Sequence, residues 1–125
     1  MKARLVLVSM VMLSAALSAS GNDRLLIHVT PSVCFAPANL IVRTIIERDP
    51  ANRAMEVIAE SPDFYRSSEV QIDGDKAPRT TTFEFRSLPS GTYQVSARLL
   101  DGRGRPLAEV HQQVSVMSAG SDGGQ

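Results

Sequence analysis

Tryptophan is absent from this 125-residue chain, and the aromatic residues amount to four phenylalanines and two tyrosines. Cysteine occurs once, as Cys34, so no internal disulfide can form and a disulfide-stapled scaffold is excluded. Net charge is also absent: 13 basic residues balance 13 acidic ones. That balance gives no general attraction to nucleic acid or to an anionic membrane surface. The chain has no internal repeat and no long linker. Composition is otherwise ordinary, 43% hydrophobic and 21% charged. This excludes wholesale disorder and a multispan membrane protein, and the length suits one domain.

The first twenty residues differ from the rest. Lys2 and Arg4 precede an apolar run from Leu5 to Leu17, and the small residues Ser18, Ala19, Ser20 and Gly21 follow. This three-part layout is that of a cleavable secretory signal peptide over 1–20. As a helix the run would span about 20 Å, short of the roughly 30 Å hydrocarbon core, so a permanent anchor is the weaker reading. No cysteine near the site supports a lipoprotein. Removal of 1–20 leaves 11 basic residues against 13 acidic ones. The expected address is exported, periplasmic or extracellular, with no stable membrane span after cleavage. Cys34 has no partner in its own chain there and is either paired between molecules or, as its apolar flanks Val33 and Phe35 favour, buried and inert.

The remainder reads as short alternating runs separated by Pro, Gly, Asp and Ser. Seven runs qualify as strands: 24–30, 39–47, 54–60, 68–73, 80–86, 92–100 and 107–117. Their inward positions include Leu25, Val29, Leu40, Val42, Val57, Phe83, Phe85, Val95 and Val114. Period-2 alternation at such spacing predicts an antiparallel β-sandwich. Residues 39–48 and 51–60 could be helical, but the first is rich in Ile and Val and the second is short. Pro31 and Pro37 bracket an irregular edge, and 61–67 is expected to be a loop or irregular edge. Asp73-Gly74-Asp75 and Asp101-Gly102 mark turns. The domain is therefore expected over 24–117, with a disordered tail at 118–125 (SAGSDGGQ).

One motif is specific. Leu88, Gly91 and Tyr93 are spaced L-x-x-G-x-Y between a strand carrying Phe83 and Phe85 and a strand of period 2. This resembles the tyrosine corner of bacterial immunoglobulin-like and fibronectin type III-like sandwich modules. The resemblance implies that the Tyr93 hydroxyl bonds a backbone group a few residues upstream. Antibody-type domains carry a cystine and a core tryptophan, whereas this chain has Val42 and Val95 nearby and no tryptophan. The implied fold is an all-β, immunoglobulin-like sandwich of about seven strands. The family transfers no catalytic residue, and fold does not define function.

Candidate chemistry is sparse. His28, His111 and Cys34 could form a soft metal site, for example for copper, if first and last strands are neighbours. The alternation turns both histidines outward, which favours two surface histidines. Asp73 and Asp75 lack the further oxygen ligands a calcium loop needs. No G-x-S-x-G occurs, and Glu56 and Glu60 share a solvent face. Phe64-Tyr65-Arg66 is the most suggestive segment. Two aromatics with an arginine suit a binding hot spot or sugar stacking, and the plain alternative is one ring folded back onto the sandwich.

These residues predict an exported, non-catalytic binding or structural module without a cofactor. Its partner is expected to be another envelope or extracellular protein, or a surface glycan, reached through an edge strand or through Phe64, Tyr65 and Arg66. The alternatives are a carbohydrate-binding accessory module on Phe64 and Tyr65, and a periplasmic metal-binding protein.

Overall fold

The computed structural model of the protein describes residues 24–118. The expected signal peptide lies outside them, and of the expected tail only Ser118 falls within. Eight strands run in order: β1 Leu25–Thr30, β2 Val33–Phe35, β3 Ala38–Ile46, β4 Ala54–Ser61, β5 Phe64–Gln71, β6 Thr80–Leu88, β7 Gly91–Leu100 and β8 Pro106–Met117. They form a three-stranded sheet, β1-β3-β6, and a five-stranded sheet, β2-β8-β7-β4-β5. Among the described residues no helix is long and apolar enough to cross a membrane.

The alternation that defined the strands also builds the core. Val57 and Ala59 of β4, Tyr93, Val95, Ala97 and Leu99 of β7, and Val114 of β8 are completely buried, as are Leu25, Leu40 and Val42 of the opposite sheet. Phe83 and Phe85 close the layer from β6. Burial of such side chains contributes about 1.5–3 kcal/mol each before conformational entropy is set against it. One polar side chain, Thr44, sits in this layer, and its hydroxyl donates to the Thr81 carbonyl at 3.0 Å.

Two expectations change. The stretch between Pro31 and Pro37 is not merely irregular. It contains β2, which pairs parallel to β8 (Val33 with Ser115, Phe35 with Met117), so the five-stranded sheet is mixed and not wholly antiparallel. The chain leaves β1, crosses to the other sheet, and is limited to three paired residues by the flanking prolines. Cys34 is accordingly half-buried against the core, while Val33 and Phe35 are each 62% exposed. The apolar flanks of a cysteine did not bury it, because alternate residues of a strand face opposite ways.

The second change concerns 61–67. Pro62 and Asp63 alone make the connection, and β5 begins at Phe64, in full register with β4 from Ser61–Phe64 to Ala54–Gln71. The expected strand at 68–73 is thus shifted. Val70 remains inward and half-buried, while Ile72 is buried beyond the strand's end. Between Phe64 and Val70 the inward positions of this edge strand are the exposed Arg66 and Ser68, so it carries no apolar alternation and its pattern resembles a loop.

Beyond β5 a 3-10 turn at Gly74–Lys76 leads towards β6. Gly74 has φ +53, and a Cβ there would lie 3.2 Å from the Pro50 carbonyl oxygen. Both conditions call for glycine.

Candidate functional site

Register across β5, β4, β7 and β8 lays side chains on the outer face of the larger sheet in rows. Tyr65, Glu60, Gln94 and Gln113 form one row; Ser67, Ile58, Ser96 and His111 the next; Glu69, Glu56, Arg98 and Glu109 the third. Arg98 meets Glu56 at 3.4 Å, and the Arg98 Nε is buried without a partner among the described residues. His111 Nδ1 lies 3.0 Å from Ser96 Oγ and 3.2 Å from Gln94 Nε2, with Glu109 at 3.9 Å from its Nε2. A shallow concavity of about 290 Å³ opens beside the first row, lined by Glu60, Ser61, Pro62, Thr92, Gln94 and Gln113.

Phe64, Tyr65 and Arg66 are brought together differently from a two-ring platform. Strand alternation sends Phe64 inward and Tyr65 outward. Phe64 is half-buried and meets Tyr93 edge-to-face, centroids 6.2 Å apart at 73°. The Arg66 guanidinium lies over the Phe64 ring at 5.1 Å and donates to the Arg86 carbonyl at 2.7 Å. Phe64 is thus sandwiched between a phenol and a cation, and only Tyr65, 58% exposed, presents a ring to solvent.

The Tyr93 hydroxyl donates to the Pro89 carbonyl at 2.8 Å, and the ring is wholly buried. Burial pushes the phenol above its ordinary value, partly offset by Ser61 and by the Arg66 charge. Leu88 is buried beneath the turn, and Gly91, at φ +155, packs its backbone against Ser61.

The candidate metal residues are not gathered. His28 projects from the outer face of the smaller sheet opposite Arg43, and His111 from the outer face of the larger one. Cys34 points inward at the β2 edge. Among the described residues no group of three or more His, Cys, Asp or Glu could hold a metal ion. Asp73 is paired with Arg53 at 3.8 Å.

The feature missed from sequence is the state of the sheet edges. The β1 edge is closed by Gln112, whose side chain accepts from Val29 N–H and donates to Val29 C=O, both at 3.3 Å. β2 is short and bounded by prolines. On β6, Arg66 occupies the Arg86 carbonyl. The rest of the nine-residue β6 edge and the whole of the regular, eight-residue β5 edge, neither with proline or lysine, are bordered by no strand among the described residues. Glutamine at an inward position of β8, where Val110 and Val114 flank it, was the available signal for the closed seam.

No protein-family model matches this chain, and no curated protein does. Among solved structures it is similar to a superoxide reductase (neelaredoxin) from Ignicoccus hospitalis, at TM-score 0.60 and 17% identity over 81% of this chain and 86% of that one. It is also similar to a family 76 glycoside hydrolase from a bovine Bacteroides thetaiotaomicron strain, at TM-score 0.55 and 14% identity. There the match covers 76% of this chain but only 20% of the hydrolase. At such identities the likeness shows the fold alone: an all-β arrangement of two facing sheets.

Proposed function

We propose that this chain is an exported, immunoglobulin-like module that acts by protein–protein contact and not by catalysis, with β5 as its contact strand. The observation that carries the proposal is the open β5 edge. Its unpaired N–H and C=O groups can accept an added strand, and Tyr65 beside it supplies an exposed anchor. The immunoglobulin-like part draws support from the strand order and from the Tyr93–Pro89 bond at the β6–β7 crossing. Export draws support from the layout of residues 1–20.

Crosslinking in the intact cell envelope followed by affinity capture tests this reading. One dominant protein partner is expected, lost in Tyr65→Ala or Ser67→Lys. Capture unchanged by both substitutions would remove β5 from the reading. Mass spectrometry of the exported protein should find a new N-terminus between Ala19 and Asn22. An intact Met1 in the membrane fraction would favour an anchor.

A second reading, glycan binding, has one observation in its favour. Tyr65 stands in register with Glu60, which lines the concavity shared with the Gln94 and Gln113 amides. With Phe64 buried, such a site would stack a sugar on one ring. A glycan array tests it, and retention abolished by Tyr65→Ala would support it.

A further inference from the structure

We propose that the occupant of the β5 edge is a second copy of this chain, paired antiparallel about a two-fold axis at Ser67. The inference rests on the reading of β5 as the contact strand and names the partner.

Symmetry restricts the possible registers. A two-fold axis normal to the sheet keeps outer face beside outer face, so residues that meet across it must share a face. On β5 the outward set is Tyr65, Ser67, Glu69 and Gln71, and the inward set is Phe64, Arg66, Ser68 and Val70. An axis at Ser67 sets Ser67 against Ser67 of the second copy. It sets Tyr65 against Glu69, Arg66 against Ser68, and Phe64 against Val70 of the second copy, with each contact made twice.

The Phe64–Val70 and Tyr65–Glu69 pairs of this register are complementary. Phe64 and Val70 are inward side chains, each only half-buried in the single chain, and they would meet each other and lose water together. The Tyr65 hydroxyl would face a carboxylate that accepts from it. Glu69 already stands opposite Glu56 on its own sheet, so a hydroxyl donor on its free side is favourable. Serine at the axis lets the backbones approach. The neighbouring allowed register, with its axis at Ser68, sets the Arg66 cation against Val70 and leaves Phe64 unpaired. An axis at Glu69 sets two carboxylates against each other. Eight regular residues without a bulge suit such pairing, and two five-stranded sheets would become one of ten.

Sedimentation velocity of the exported, mature protein between about 10 and about 500 µM reads the assembly, since interfaces of strand-edge size are weak. A monomer–dimer equilibrium in that range is expected. Ser67→Lys should leave the melting midpoint unchanged and the protein monomeric, because two ammonium groups would meet at the axis. In a Cys34→Ala background, Ser67→Cys should crosslink readily under mild oxidation. Directly opposed residues lie roughly 4.5–5.5 Å apart at Cα, within the range a disulfide spans. Glu69→Cys, offset by about 14 Å along the strands, should not. A monomer throughout, a dimer that persists in Ser67→Lys, or equal crosslinking at 67 and 69 would overturn the proposal. A monomer that still captures an envelope protein through Tyr65 overturns the second copy alone. A monomer that captures nothing overturns the contact-strand reading as well.

Discussion

The Tyr93 hydroxyl donates a 2.8 Å hydrogen bond to the carbonyl oxygen of Pro89, four residues upstream, and thereby ties down the crossing from the smaller sheet to the larger. The same ring supports Phe64 at 6.2 Å, so one side chain joins the crossing to the start of β5. Tyr93→Phe should cost about 1 kcal/mol, the net worth of one hydrogen bond. Tyr93→Ala should cost about 3 kcal/mol or more, because a cavity opens where Phe64 rests. Chemical denaturation measures both, and an unchanged midpoint in Tyr93→Ala would disprove the structural role. The raised phenol pKa means that the protonated form is favoured by folding. This stabilisation is complete below the ordinary tyrosine value of 10.0 and is lost as pH rises through the folded value, so Tyr93→Phe should flatten the alkaline limb of stability against pH.

Gln112 closes the seam between β1 and β8. Its amide meets both backbone groups of Val29 and stands in for a strand that is not there. Gln112→Ala should lose about 1–2 kcal/mol, the worth of two exchanged hydrogen bonds. Gln112→Glu should be worse than a simple isostere, since the carboxylate accepts from Val29 N–H but faces the Val29 carbonyl with no donor. Hydrogen exchange at Val29 N–H provides the local readout: protection should fall in both variants and remain at Val42.

Gly74→Ala should destabilise by about 1–3 kcal/mol, as a side chain is forced both into a positive φ and against the Pro50 carbonyl. Gly104→Ala is the contrast. It also has positive φ, +79, but no atom lies within 4 Å of its Cβ position, so only the backbone strain applies and the loss should be smaller. Equal thermal shifts in the two variants would contradict this account.

Asp101 organises the β7–β8 hairpin. Its carboxylate accepts from Arg105 N–H at 2.9 Å and Arg103 N–H at 2.8 Å, and these bonds hold its pKa below the ordinary value. The stabilisation is therefore present above the ordinary carboxylate value of 3.8 and is lost as pH falls through the folded value. Asp101→Asn keeps an acceptor oxygen but removes the charge. It should lower the melting midpoint at pH 7 and leave it unchanged at pH values where the native carboxylate is protonated.

Six of the eight strands were legible because a strand with one buried face must alternate. Val95, Ala97 and Leu99 are inward for the same reason that Gln94 and Arg98 are outward. The corner was legible from Leu88, Gly91 and Tyr93, whose chemistry is local. β5 was displaced and β2 was missed. β2 is three residues long and the middle inward positions of β5 are the exposed Arg66 and Ser68, so neither writes a hydrophobic period. The candidate site shared this fate. Phe64, Tyr65 and Arg66 attracted notice as a group, yet a strand turns neighbours to opposite sides and leaves one exposed ring.

The sequence by itself determined the secondary-structure class, the inward residues and the turn positions, because each follows from the backbone period and from local conformational preference. Only the tertiary structure decided the edges. Whether a strand end is open depends on residues distant in sequence: Gln112 reaches Val29 and Arg66 reaches Arg86, while no strand among the described residues borders β5. Those long-range hydrogen bonds are set by how the two sheets stack, and the local order of residues shows only a polar residue at an inward position, as at Gln112, without its partner.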